Sequence, residues 1–64
     1  MVNVNGKPLE IAGKTLAGYL ESTAYDMKRI ATELNGNIVP KASYAHTVLR
    51  DGDSVEIVSF VGGG

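Results

Sequence analysis

The chain has 64 residues, 44% of them apolar, with six basic and seven acidic side chains, a net charge of −1 and no cysteine. That excludes a disulfide-stapled or thiolate-metal domain, a basic nucleic-acid binder and a disordered polyelectrolyte, and leaves one small domain resting on a single core. No apolar run approaches the roughly 18 residues that would span a bilayer, and strand-like residues start at Met1, so a soluble cytoplasmic domain without a signal peptide is expected.

Val2 and Val4 alternate with Asn3 and Asn5, the period of a half-buried strand. Asn5-Gly6 supplies residues that tolerate the positive φ of a tight hairpin turn, and Leu9 and Ile11 resume the alternation. Pro8 lacks an N–H, which suits an edge strand. Thr15 is a candidate helix N-cap, followed by Leu16, Tyr19, Leu20 and Thr23 at helical spacing. A short helix from Thr15 to about Thr23 is predicted, with Gly18 costing it about 1 kcal/mol relative to alanine.

Ala24 to Lys28 reads as a connection and Arg29 to Leu34 as a third strand. Asn35-Gly36 is a second hairpin signal, leading into a short strand Ile38-Val39 that Pro40 ends. Lys41 to Thr47 reads as a helical turn carrying Tyr44. Asp51-Gly52-Asp53 turns the chain into the last strand, Ser54 to Phe60, with Val55 and Ile57 facing the core. The valine-rich first and last strands belong at the sheet centre, running parallel because a long crossover joins them. The prediction is an α+β, ubiquitin-like β-grasp domain over residues 1–60. Its mixed four- to five-stranded sheet packs on one short helix, in the order ββαββ, helical turn, β.

Residues 61–64, Val-Gly-Gly-Gly, follow as a flexible tail. Glycine has no Cβ, so such a tail can enter a narrow channel, and fully extended it reaches roughly 13 Å. By itself a glycine-rich end is equally a function-free terminus. If it carries function, the reactive group is the main-chain carboxylate of Gly64. On the last strand, inward Val55 and Ile57 leave Glu56, Val58 and Phe60 on the opposite face. Val58 and Phe60, with Val61 after them, are the candidate partner-binding residues. Phe60 folded back over the sheet edge is the competing arrangement.

Other candidates reduce to structure. His46 has no nucleophile or acid positioned beside it in the sequence, so neither a catalytic triad nor a metal site has its parts. Asp51 and Asp53 have turn spacing and too few oxygen ligands around them for a cation site. Tyr19, Tyr25 and Tyr44 read as packing residues, since no basic groove accompanies them.

The segment Glu33-Leu34-Asn35-Gly36-Asn37-Ile38-Val39-Pro40-Lys41, then Tyr44-Ala45, Thr47-Val48-Leu49, Asp51-Gly52-Asp53, Val55-Glu56-Ile57-Val58 and the terminal glycines, resembles the ThiS-type sulfur carriers of thiamine (thiazole) biosynthesis. The resemblance is strongest from Glu33 onward. In that family the helix usually opens on Thr-x-x-Glu, where this chain has Gly18. Tryptophan is common where Tyr44 stands, and Gly62 extends an obligatory glycine pair.

The resemblance implies a carrier and not an enzyme. A ubiquitin-activating-type adenylyltransferase would adenylate Gly64, a sulfur donor would convert it to a thiocarboxylate, and thiazole synthase would take the sulfur. Gly62 and Gly63 would thread the tail into the partner. ATP and magnesium would belong to the activating partner, with no cofactor held by this chain, which would be monomeric when free. Alternatives are the small subunit of molybdopterin synthase, another sulfur carrier, or a ubiquitin-like protein modifier.

Overall fold

The last strand organises the computed structural model, which describes residues 1–60. Five strands, β1 (Val2–Val4), β2 (Lys7–Leu9), β3 (Ile30–Leu34), β4 (Asn37–Ile38) and β5 (Ser54–Ser59), form one sheet in the order β2-β1-β5-β3-β4. β5 runs parallel to β1 and antiparallel to β3, so the two ends of the described chain meet at the sheet centre as predicted. One helix, α1 (Leu16–Glu21), and two 3-10 turns, Met27–Arg29 and Lys41–His46, complete the domain. The expected tail, residues 61–64, lies outside the described residues.

Both hairpins turn on Asn-Gly. Asn5 and Gly6 have φ of 50° and 84°, and Asn35 and Gly36 have 52° and 87°, the left-handed pair whose twist matches that of the strands it joins. Each asparagine also extends a ladder beside β5. The Asn5 amide donates to the Val55 carbonyl (2.9 Å), while its side chain accepts from the Ile57 amide (2.8 Å) and donates to the Ile57 carbonyl (3.3 Å). On the other flank, the Asn35 amide donates to the Ser54 carbonyl (2.8 Å), and its Oδ1 accepts from the Ser54 amide (2.9 Å). A side-chain amide carries a donor and an acceptor, as a peptide unit does, so each asparagine stands in for one more strand residue.

α1 is shorter than predicted. Thr15 caps it with an extended backbone, its Oγ1 accepting from the Gly18 amide at 3.0 Å. A Cβ at Gly18 would lie 3.0 Å from that same oxygen, a close contact that a small shift of the Thr15 hydroxyl would relieve. At the other end, the Ser22 and Thr23 hydroxyls donate to the carbonyls of Tyr19 and Leu20, each at 2.6 Å. These local bonds take the last helical acceptors and stop the helix at Glu21.

Four strand boundaries also shift. β2 covers Lys7–Leu9, so the alternation expected to run on to Ile11 stops at Leu9, although Ile11 is buried. Arg29 closes a 3-10 turn instead of opening β3, because Asp26 accepts from the Lys28 amide at 2.9 Å and winds the chain there. β4 covers Asn37–Ile38 in place of Ile38-Val39, although the Val39 amide still donates to the Thr32 carbonyl at 2.9 Å before Pro40. β5 ends at Ser59, one residue before the expected Phe60.

The core joins Val2, Val4, Ile11, Leu16, Leu20, Ile30, Tyr44, Leu49, Val55 and Ile57. Thr32 is the buried polar member, and its hydroxyl accepts from the Tyr44 hydroxyl at 3.1 Å. Leu49 was not anticipated as core. It is fully buried because the segment before β5 docks on the entry to α1, with Leu49 donating to the Lys14 carbonyl (2.8 Å) and Gly13 donating to the Leu49 carbonyl (2.7 Å). No helix among the described residues is long and apolar enough to cross a membrane.

Candidate functional site

The helix covers one face of the sheet and leaves the other to solvent. Strand alternation decides what appears there. Along β5, Val55 and Ile57 are buried, whereas Glu56 and Val58 are exposed. Val58 pairs with Ala31 of β3 and is 54% exposed. Phe60 is 54% exposed as well, and its amide donates to the Arg29 carbonyl at 2.7 Å. That bond continues the β3–β5 ladder to the last described residue and keeps the ring on the outer side. Of the two arrangements weighed for Phe60, the structure has the exposed one.

Ile38 joins the same surface and is its most exposed large apolar side chain, at 75%. The sequence reading missed it. The signal was present, because a two-residue Asn-Gly turn places Leu34 opposite Asn37 and hence Glu33 opposite Ile38, the register observed. Glu33 is also paired on its other side with Glu56. An apolar strip of Ile38, Val58 and Phe60 is thus interrupted by two carboxylates. Large apolar side chains gathered in the open on one face of a small domain mark an interaction site.

Of the predicted site residues, Val58 and Phe60 share this surface. Val61, Gly62, Gly63 and Gly64 lie outside the described residues. The side chains read as structural are where that reading put them. His46 is exposed at the end of the second 3-10 turn. Asp51 pairs with the Met1 ammonium. Asp53 accepts from the Asn35 side chain (3.0 Å) and the Arg50 amide (2.8 Å), and these bonds hold its carboxyl below the usual range. Tyr19, half buried, has its hydroxyl pushed up by burial and by the nearby Tyr25. Among the described residues, no three His, Cys, Asp or Glu side chains gather as a metal site.

A mixed sheet with its first and last strands parallel at the centre, wrapped on one helix, and with an exposed apolar strip running to the end of the last strand, defines a ubiquitin-like β-grasp domain. The ThiS family model matches residues 2–64, and the chain belongs to that family. The sulfur carrier protein ThiS of Thermus thermophilus is 39% identical over 64 residues, all of both chains. The crystal structure of the thiamine biosynthesis protein ThiS from Geobacter metallireducens superposes with a TM-score of 0.79 at 28% identity, covering 98% of this chain and 97% of that one. A thiazole synthase of Paramagnetospirillum magneticum is 42% identical over 62 residues, which are 95% of this chain and 19% of that protein. The chain spans about a fifth of the length of the thiazole synthases it matches.

Proposed function

We propose that this protein is a sulfur carrier of thiamine biosynthesis whose Gly64 carboxylate is the group charged with sulfur. The observation that carries the reading is the family match through residue 64, supported by end-to-end similarity to a ThiS sulfur carrier. The chain serves as co-substrate, and its partners supply the catalysis.

A carboxylate resists attack by a sulfur nucleophile because its charge is delocalised and an oxide is a poor leaving group. It must first become a mixed anhydride. In the proposed sequence a Gly64 carboxylate oxygen attacks the α-phosphorus of ATP, pyrophosphate leaves, and an acyl-adenylate forms. Hydrosulfide from the sulfur donor then adds to the carbonyl carbon, AMP departs, and loss of the sulfur-bound proton leaves a thiocarboxylate. ATP and magnesium are bound by an activating enzyme of the ubiquitin-activating type. Gly62 and Gly63 carry the terminus into that enzyme while Val58, Phe60 and Val61 dock beside it. Thiazole synthase is the recipient of the sulfur, a reading supported by thiazole synthases that match this whole domain over a fifth of their length.

The test is an intact-mass measurement after incubation with the activating enzyme, magnesium-ATP and a sulfur donor. The expected product has one oxygen replaced by sulfur, and deleting Gly63 and Gly64 abolishes it. An unchanged mass under these conditions, or recovery of the chain only as isopeptide conjugates on other proteins, overturns the proposal.

A further inference from the structure

Asn5 lies just past the end of β1, in the hairpin turn, yet its side chain reaches on along β5. Its Oδ1 accepts from the Ile57 amide (2.8 Å) and its Nδ2 donates to the Ile57 carbonyl (3.3 Å), so the two bonds together fix which way the amide faces. The same Nδ2 turns toward the hydroxyl of Tyr25 (3.4 Å), a half-buried side chain packed on the core. The first position of such a turn accepts asparagine, aspartate or glycine alike. Only asparagine offers Ile57 a donor and an acceptor at once, so the turn alone does not explain the residue.

The place of this clasp gives it meaning. Backbone pairing of β1 with β5 stops at Val55, whose carbonyl accepts from the Asn5 amide. The Asn5 side chain extends the hold on that edge from Val55 to Ile57. Among the described residues, β5 beyond Ile57 is held from the other edge alone, by its pairing with β3 and by the Phe60 amide on the Arg29 carbonyl. Without the Asn5 amide the singly held stretch would grow from 58–60 to 56–60. A strand held on one edge can swing about that ladder, whereas one held on both has a single direction. Asn35 makes a comparable clasp on Ser54, at the opposite end of β5.

We infer that Asn5 is a positioning residue: through Ile57 it fixes the direction in which β5 carries Val58, Phe60 and the chain after them out of the domain. The inference rests on the carrier reading and adds to it a residue far in sequence from the terminus it serves. A terminus that must meet a reacting atom in another protein reacts faster when the strand behind it points one way, because less orientational freedom is lost on delivery.

Asn5→Gly keeps the left-handed backbone and removes the clasp, and Asn35→Gly does the same at the start of β5. Each is expected to lower the Tm by about 5 °C. Well below both transitions, only Asn5→Gly should speed amide exchange at Val58 and Phe60, about tenfold. It should also lower kcat/KM for thiocarboxylate formation by purified activating enzyme about tenfold, while Asn35→Gly stays within about twofold of the wild type. Asn5→Asp keeps the acceptor but sets a carboxylate oxygen against the Ile57 carbonyl. It should change exchange and charging in the same direction, so the comparison stands even with a glycine variant that does not fold. Unchanged exchange at Val58 and Phe60 in Asn5→Gly overturns the inference, and so does charging lowered equally by the two glycine variants or by neither. If the wild type forms no thiocarboxylate, the carrier reading fails and the role in delivery fails with it. The exchange rates, which need no partner, would then still decide whether Asn5 holds the end of β5.

Discussion

On the side of the sheet that faces α1, the central positions are closed: Val2, Val4, Ile30, Val55 and Ile57 are buried, and the one polar side chain among them, Thr32, is hydrogen-bonded. On the opposite side Ile38, Val58 and Phe60 lie open and two glutamates oppose each other. A domain of this length has a stability of only about 3–10 kcal/mol, so a face arranged against stability is a face arranged for something else. The contrast predicts that substitutions on the helix side register in stability and those on the open side in partner chemistry.

The largest stability effect belongs to the helix side. Leu16→Ala removes a fully buried side chain at the first turn of α1 and is expected to lose about 3 kcal/mol, enough to leave a large unfolded fraction at 37 °C by circular dichroism. Next comes Thr32→Val, which keeps the shape but strands the Tyr44 hydroxyl in the core, a loss of about 1–2 kcal/mol in urea titration. Adding Tyr44→Phe removes the stranded group, and the double variant should recover most of that loss; no recovery would mean that the pair is not coupled.

Asp53, in the turn that leads into β5, gives a smaller and pH-dependent effect. Its folded pKa lies below the unfolded value of about 3.9. The stabilisation is therefore complete above that value and is lost as the pH falls through the folded pKa. Asp53→Asn should be less stable at neutral pH and lose less Tm than the wild type between pH 5 and pH 2. Equal acid limbs for the two proteins would remove Asp53 as their cause.

Phe60→Asp has the smallest stability effect, within about 0.5 kcal/mol, because the ring is exposed. It should nevertheless abolish charging by the activating enzyme in the intact-mass assay. Normal thiocarboxylate formation in that variant would break the comparison on which the docking surface rests.

Apart from the parallel pairing of the first and last strands at the sheet centre, what could be read in advance was local. Asn5-Gly6 and Asn35-Gly36 specify their turns through φ alone, Thr15 announces a cap, and the alternation of Val55 and Ile57 sets which face of β5 is inside. The unread features depend on segments that meet only in the folded chain. Glu33 opposes Glu56 across 22 intervening residues with no tight turn to set their register. Leu49 is buried by a loop docking on the start of α1. In the candidate site, Val58 and Phe60 were legible from strand period, and Ile38 would have been from the turn length. The Gly64 end of the site lies outside the described residues.

The clasping of β5 by Asn5 and Asn35 has a mechanical consequence. Traction on the chain beyond Phe60 enters the domain along β5, whose inner half is flanked on both sides, by β1 with Asn5 and by β3. A load along the strand axis meets the antiparallel bonds to β3 first and, from Ile57 inward, the bonds to Asn5 and β1 as well, so the inner half of β5 is held on both edges in shear. On the carrier reading, a tail held by a partner would be withdrawn against the doubly bonded inner half of β5.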